Sequence, residues 1–172
     1  SAALLFVVDT TGPVITFCPT NRTMGVGANC QLVLPDFTGE LSATDACSQV
    51  VVTQSPEAGA LLGVGAHVIT FTVHDGVSNT STCNLTLGVI DNSAPVIVVG
   101  ATNVTLSAGT NCLAVVPDLT GMITASDCSP FTVTQSPVAG SEVGLGTNDL
   151  TFTVTDTNGL SNASAAWLFV VD

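Results

Sequence analysis

The sequence predicts an all-β chain: two immunoglobulin-like β-sandwiches in tandem, stapled by disulfides. Three observations predict it. The chain repeats itself with a period of about 80 residues. Its apolar residues fall in short β-branched runs with no 3.6-residue period. It also carries six cysteines in 172 residues, of which only 8% are charged.

The repeat fixes the domain organisation. The segment "PVITFCPTNRT" from Pro13 returns as "PVIVVGATNVT" from Pro95, an offset of 82. "CQLVLPDFTGELSATDACS" from Cys30 returns from Cys112, and "VTQSPEAG" from Val52 returns from Val133 at an offset of 81, after one deletion. A third echo joins the ends: Ser1–Asp9 matches Ser164–Asp172 at eight of nine positions, 163 residues apart, which is 82 plus 81. The expected organisation is residues 1–9 as the closing strand of a preceding module or as an inserted strand, 10–92 as module one and 93–172 as module two. The linkers "DTTGP" and "DNSAP" are short, so successive modules are expected to be held stiffly.

Within each module, "QLVLP" and "LAVVP" are short runs stopped by proline, "VVVTQSP" ends at Ser-Pro, and "HVITFTV" and "DLTFTV" alternate in the two-residue period of a half-buried strand. Turn signals recur every 8 to 12 residues or so. About seven short strands in some 80 residues, without a helix, fit an immunoglobulin-like sandwich.

Composition excludes several functions. Hydrophobic residues make up 46%, and 13 acids face one base, Arg22, for a net charge of −12. Nucleic-acid binding needs clustered Lys or Arg and is not expected; an anionic membrane surface is disfavoured likewise. The longest apolar runs, Ala2–Val8 and Ala165–Val171, have seven residues, where a membrane span needs about 20. No signal peptide is visible, so the chain reads as a mature or excised segment.

Cys18-Pro19-Thr20-Asn21, Cys30, Pro35, Ala43-Thr44-Asp45 with Cys47, Ser55-Pro56 with Gly59, Gly63-Val64-Gly65, and Thr82-Cys83 ahead of Val89-Ile90-Asp91 form a spaced pattern that resembles the hyalin repeat (HYR) family, once per module. The resemblance implies an extracellular immunoglobulin-like domain of adhesion and matrix proteins with no catalytic site. The usual Asp-x-x-Gly-Asn turn is blurred at Asp75-Gly76, and module two lacks two of the four cysteines.

Cys18 aligns with Gly100 and Cys83 with Ser164, so these two cysteines vanish together, while Cys30 and Cys47 survive as Cys112 and Cys128. The simplest pairing is Cys18–Cys83, Cys30–Cys47 and Cys112–Cys128, each bridge contributing about 3–4 kcal/mol. A metal site is the alternative, disfavoured by the lack of a CxxC pair. Cysteine usage implies an oxidising, extracellular or cell-surface location. Five sequons, at Asn21, Asn79, Asn84, Asn103 and Asn162, offer covalent glycans as a solubilising layer.

The closing strand places Cys83, Leu85, Leu87 and Val89 inward. In module two the inward places go to Ala166, Leu168 and Val170, and the outward ones to Trp167, Phe169 and Val171; the N-terminal copy repeats them with Leu4, Phe6 and Val8. Such an apolar outward row is expected to cover a neighbouring module or protomer, with burial beneath a loop of the same module as the alternative. Catalysis is not expected. His67 and His74 have Asn148 and Thr155 as counterparts, no nucleophile elbow is present, and Asp45 and Asp75 read as turn acids. No cofactor is expected; calcium at the junction acids Asp9 and Asp91 is an open alternative. The functional expectation is a repeat unit of an extracellular fibre or stalk whose partners are copies of itself, with an adhesion or ligand-binding ectodomain as the runner-up.

Overall fold

The computed structural model describes residues 3–172 and is all-β apart from two three-residue 3-10 turns. The chain divides into two compact units, one formed by the chain up to Val26 with Gln31–Ile90, the other by Gly27–Cys30 with Asp91–Asp172.

The first repeat supplies β1 (Val14–Phe17), β2 (Arg22–Val26), β3 (Gln31–Val33), β4 (Ser42–Thr44), β5 (Val51–Ser55), β6 (Leu61–Gly63), β7 (Gly65–His74) and β8 (Thr80–Asp91). They form a four-stranded sheet in the order β2-β8-β7-β5 and two ladders, β1–β4 and β3–β6. The second repeat reproduces this with β9 (Val96–Val99), β10 (Val104–Ser107), β11 (Leu113–Val115), β12 (Thr124–Ser126), β13 (Phe131–Ser136), β14 (Glu142–Gly144), β15 (Gly146–Asp156) and β16 (Ser161–Val171). Its sheet runs β10-β16-β15-β13, with ladders β9–β12 and β11–β14.

Alternation builds each core. Ile69, Phe71 and Val73 of β7 and Leu85, Leu87 and Val89 of β8 are buried on one face. Leu150, Phe152, Val154, Leu168 and Val170 take the same places in the second unit, where Ile97, Ala125 and Val143 pack against them from the ladders. Each such side chain contributes about 1.5–3 kcal/mol by leaving water. A one-residue slip would turn every one of them outward, so the register is strongly specified.

Both 3-10 turns, Thr38–Glu40 and Thr120–Met122, have the same local cause. The Asp36 Oδ1 accepts the amide and hydroxyl of Thr38 at 2.9 and 2.7 Å, and Asp118 does the same for Thr120, an Asx turn that starts the bend. Residues 3–10 form no strand, and Leu4, Phe6 and Val8 are exposed; the first two residues of the expected 1–9 strand lie outside the described residues. No helix among the described residues is long and apolar enough to cross a membrane.

Candidate functional site

The cysteines are paired differently from the sequence expectation. Cys18 bonds Cys83, with Cα atoms 6.4 Å apart, but Cys30 bonds Cys128 at 5.2 Å, and Cys47 and Cys112 are exposed thiols. The expected Cys30–Cys47 and Cys112–Cys128 bridges are therefore corrected, for a geometric reason. Gln31, next to Cys30, pairs with Gly63 near the Gly65 end of β7. The Cys47 amide instead donates to Asp45, which clusters with Asp75 beyond the His74 end. In the second unit Leu113, next to Cys112, pairs with Gly144 near the start of β15, and Ser129, next to Cys128, accepts from Asn158 beyond its end. Strands of 10 and 11 residues separate these poles by about 30 Å, while a disulfide needs Cα atoms within roughly 7 Å. The repeat reveals which cysteines vanish together, not the pole at which each stands.

One pole of each unit gathers carboxylates. Oxygens of Asp9, Asp45 and Asp75 lie within 4.8 Å of one another, as do those of Asp91 and Asp127 with the Cys128 sulfur. Turn amides and hydroxyls hold most of these oxygens. Asp75 Oδ1 accepts from Val77 and Asn79, Asp45 Oδ1 from Cys47 and Ser48, Asp9 Oδ1 from Thr11, and Asp91 Oδ1 from Ser93. Bonds from the Thr11 hydroxyl and amide hold Asp9 below the usual carboxylate range, and the Ser129 hydroxyl does so first for Asp91. The negative field of Asp9, then burial and the field of Asp45, pushes the Cys47 thiol up. Turn bonds hold Asp45 and Asp75, while Asp9 Oδ2 and Asp127 Oδ2 are buried without a hydrogen-bond partner among the described residues. Carboxylates are the donors a hard cation takes, but calcium wants six to eight oxygens, and most of these are already engaged.

The sequons separate by what their side-chain nitrogens do. Asn79 is half-buried and its Nδ2 donates to Asp75 and to the Asp9 carbonyl; Asn162 Nδ2 donates to the Pro95 carbonyl. Asn21 and Asn103 are exposed and use only Oδ1, each accepting a closing-strand amide, from Thr86 and Trp167 at 2.8 and 2.9 Å. Asn84 is exposed on β8.

On the closing strand of the second unit Trp167 and Val171 are exposed and Phe169 half-buried beside Thr105 of β10, with Leu168 and Val170 beneath. Trp167 borders a hollow lined by Asp149, Thr151 and Ala165. His67 Nε2 lies 2.8 Å from the Gly63 carbonyl oxygen, and its counterpart Asn148 donates to Gly144. The shared role of these two is to brace the turn into β7 and β15.

Each unit also buries one glutamine, Gln54 or Gln135. Gln54 Oε1 accepts the Phe37 amide at 2.7 Å, and its Nε2 donates to the Pro35 carbonyl at 3.0 Å; Gln135 makes the equivalent bonds to Leu119 and Pro117. A glutamine kept inside a strand otherwise rich in Val and Thr was the available signal.

Residues 8–89, from the approach to β1 almost to the end of β8, match the HYR domain family. The chain carries an HYR domain. Over 174 aligned residues it is 28% identical to "Hyalin" of Strongylocentrotus purpuratus, covering 95% of this chain and 14% of that protein, so it spans about one-seventh of the relative's length. In fold it is similar to Drosophila N-cadherin EC1-4, with a TM-score of 0.51 at 12% identity, over 94% of this chain and 50% of that one. It is also similar to human protocadherin-24 EC1-2, with a TM-score of 0.49 at 14% identity, over 95% and 99%. HYR domains are extracellular, adhesion-type modules of non-enzymatic families.

Proposed function

We propose that this stretch is a repeat unit of an extracellular structural protein, a fibre or stalk in which HYR-like modules follow one another head to tail. The observation that carries the reading is the Ser1–Asp9 echo of Ser164–Asp172, displaced by the sum of the two module offsets. The second copy of that echo is the closing strand β16, in which alternate residues enter the core. The first copy leaves Leu4, Phe6 and Val8 exposed. These three outward positions, with Trp167, Phe169 and Val171, are the surface the reading assigns to contact between neighbouring copies. Glycans at Asn21, Asn84 and Asn103, whose amide nitrogens have no protein partner among the described residues, solubilise the faces between contacts. Asn79 and Asn162 would have to give up their bonds to carry one.

The test is the mass of the native polypeptide, reduced, denatured and deglycosylated, with glycan sites mapped on its peptides. A species far above 17.2 kDa, near a multiple of the 163-residue unit, supports the array, and a 17 kDa monomer removes it. A second reading, an adhesion or ligand-binding ectodomain, is favoured by the hollow beside exposed Trp167. Binding of a protein or carbohydrate ligand lost in Trp167→Ser would support it.

A further inference from the structure

Cys30 and Cys112 are equivalent. Each has φ near 60° and ends a tight loop in which its amide donates to the glycine three residues earlier, Gly27 or Gly109, at 2.9 Å. Cys47 and Cys128 are equivalent too. Each follows the acid, Asp45 or Asp127, that meets a junction carboxylate, Asp9 or Asp91. One member of each class is bonded, Cys30 to Cys128, across a sequence separation of 98 residues. The remaining members, Cys112 and Cys47, are exposed thiols. Placed one 163-residue period further on, Cys47 stands 98 residues after Cys112, the separation the existing bond already spans.

We infer that the Cys112 thiol of one copy of this stretch forms a disulfide with the Cys47 thiol of the next. The same loop class then joins the same acid-flanked class at every step of the repeat, and only the two end copies of the array keep a free thiol. The inference rests on the tandem-array reading, because it needs a following copy. The two thiols give up two protons and two electrons. A low-molecular-weight disulfide takes them up by exchange, first as a mixed disulfide on one sulfur, and leaves as two thiols.

The experiment imposes the array, so that its failure is distinct from failure of the array reading, which the native mass decides. A single chain is made of residues 1–172 followed by residues 10–172 and folded in oxidised and reduced glutathione. Each copy holds two thiols outside the observed bonds, so titration after denaturation reads four free thiols without the proposed bond and two with it. The expected result is two, with a peptide linking Cys112 of the first copy to Cys47 of the second. Cys112→Ser in the first copy should raise the count to three. Four thiols in the parent chain, or Cys112 of the first copy bonded elsewhere, overturns the inference.

Should the double-length chain fail to fold, single chains of Cys47→Ser and Cys112→Ser are mixed under the same oxidant. A covalent dimer in the mixture alone supports the bond. No dimer, or as much dimer from either variant by itself, overturns it.

Discussion

The two units fasten the same segment to the same closing strand by different means. In the first, Cys18 is bonded to Cys83 of β8. In the second, Gly100 and Ser164 stand at those positions: the Ala101 amide donates to Ser164 Oγ at 2.9 Å, and a Cβ added at Gly100 would meet that oxygen at 2.9 Å. A hydroxyl and a missing side chain thus fill the space of a disulfide. A second exchange runs in parallel. Arg22 makes a two-point ion pair with Glu40 and lies over the Phe37 ring at 4.9 Å, while the counterparts Val104 and Met122 pack against the core. Partners change together because each is useless alone: a lone thiol cannot bridge, and a lone charge beside apolar neighbours is poorly solvated.

The largest way to break the comparison is to exchange the fasteners. Cys18→Ala with Cys83→Ala is expected to lower the first unit's unfolding free energy by about 4 kcal/mol, the chain-entropy value for a loop of this length. Gly100→Cys with Ser164→Cys should raise the second unit's by a similar amount, the two transitions being followed separately in denaturant. A gain well under 1 kcal/mol in the second unit would show that the bridge acts through strand geometry peculiar to the first.

The glutamine braces should behave alike in both units. Gln54→Ala and Gln135→Ala each leave a backbone amide and two proline carbonyls without their side-chain partner, so each is expected to cost about 2–3 kcal/mol in equilibrium unfolding; unequal losses would mean that the braces are not equivalent. Ser78 adopts φ 76° where its counterpart Gly159 has φ 84°. Ser78→Gly should therefore stabilise the first unit by about 1 kcal/mol, and a loss would show that the serine side chain matters there. The smallest effect is expected for Arg22→Val with Glu40→Met, within about 1 kcal/mol of the parent, since a half-exposed pair contributes little. A larger loss would assign the pair a role in packing.

Much of this was legible from the chain. Repeat offsets and two-residue alternation place Ile69, Phe71, Leu85 and Leu87 inward, and the loss of two cysteines together predicts the Cys18–Cys83 bond that the structure contains. The other pairing was not legible, because spacing along the chain does not say whether a loop lies at the start or the end of a 10-residue strand. Nor were the roles of Asn79 and Asn162. A sequon states the residue type, while the bonds to Asp75 and Pro95 depend on chain segments far away in sequence.

The difference in fasteners has a mechanical side. Tension entering the first repeat at Val14 and leaving along β8 crosses the sulfur bridge from Cys18 to Cys83, so for that pull the residues between these cysteines are off the load path. The Cys30–Cys128 bond is a second covalent route that takes up load once the second unit extends. In the second repeat the load passes from β10 to β16, which are paired in parallel from Val104↔Leu168 to Ser107↔Val171. Pulling on their outer ends shears all those hydrogen bonds at once instead of peeling them singly. Stretched from its ends, the oxidised first unit should keep on the order of 220 Å of contour length hidden. A reductant would release that length, and the second unit would yield its own at the strength of its strand pairing.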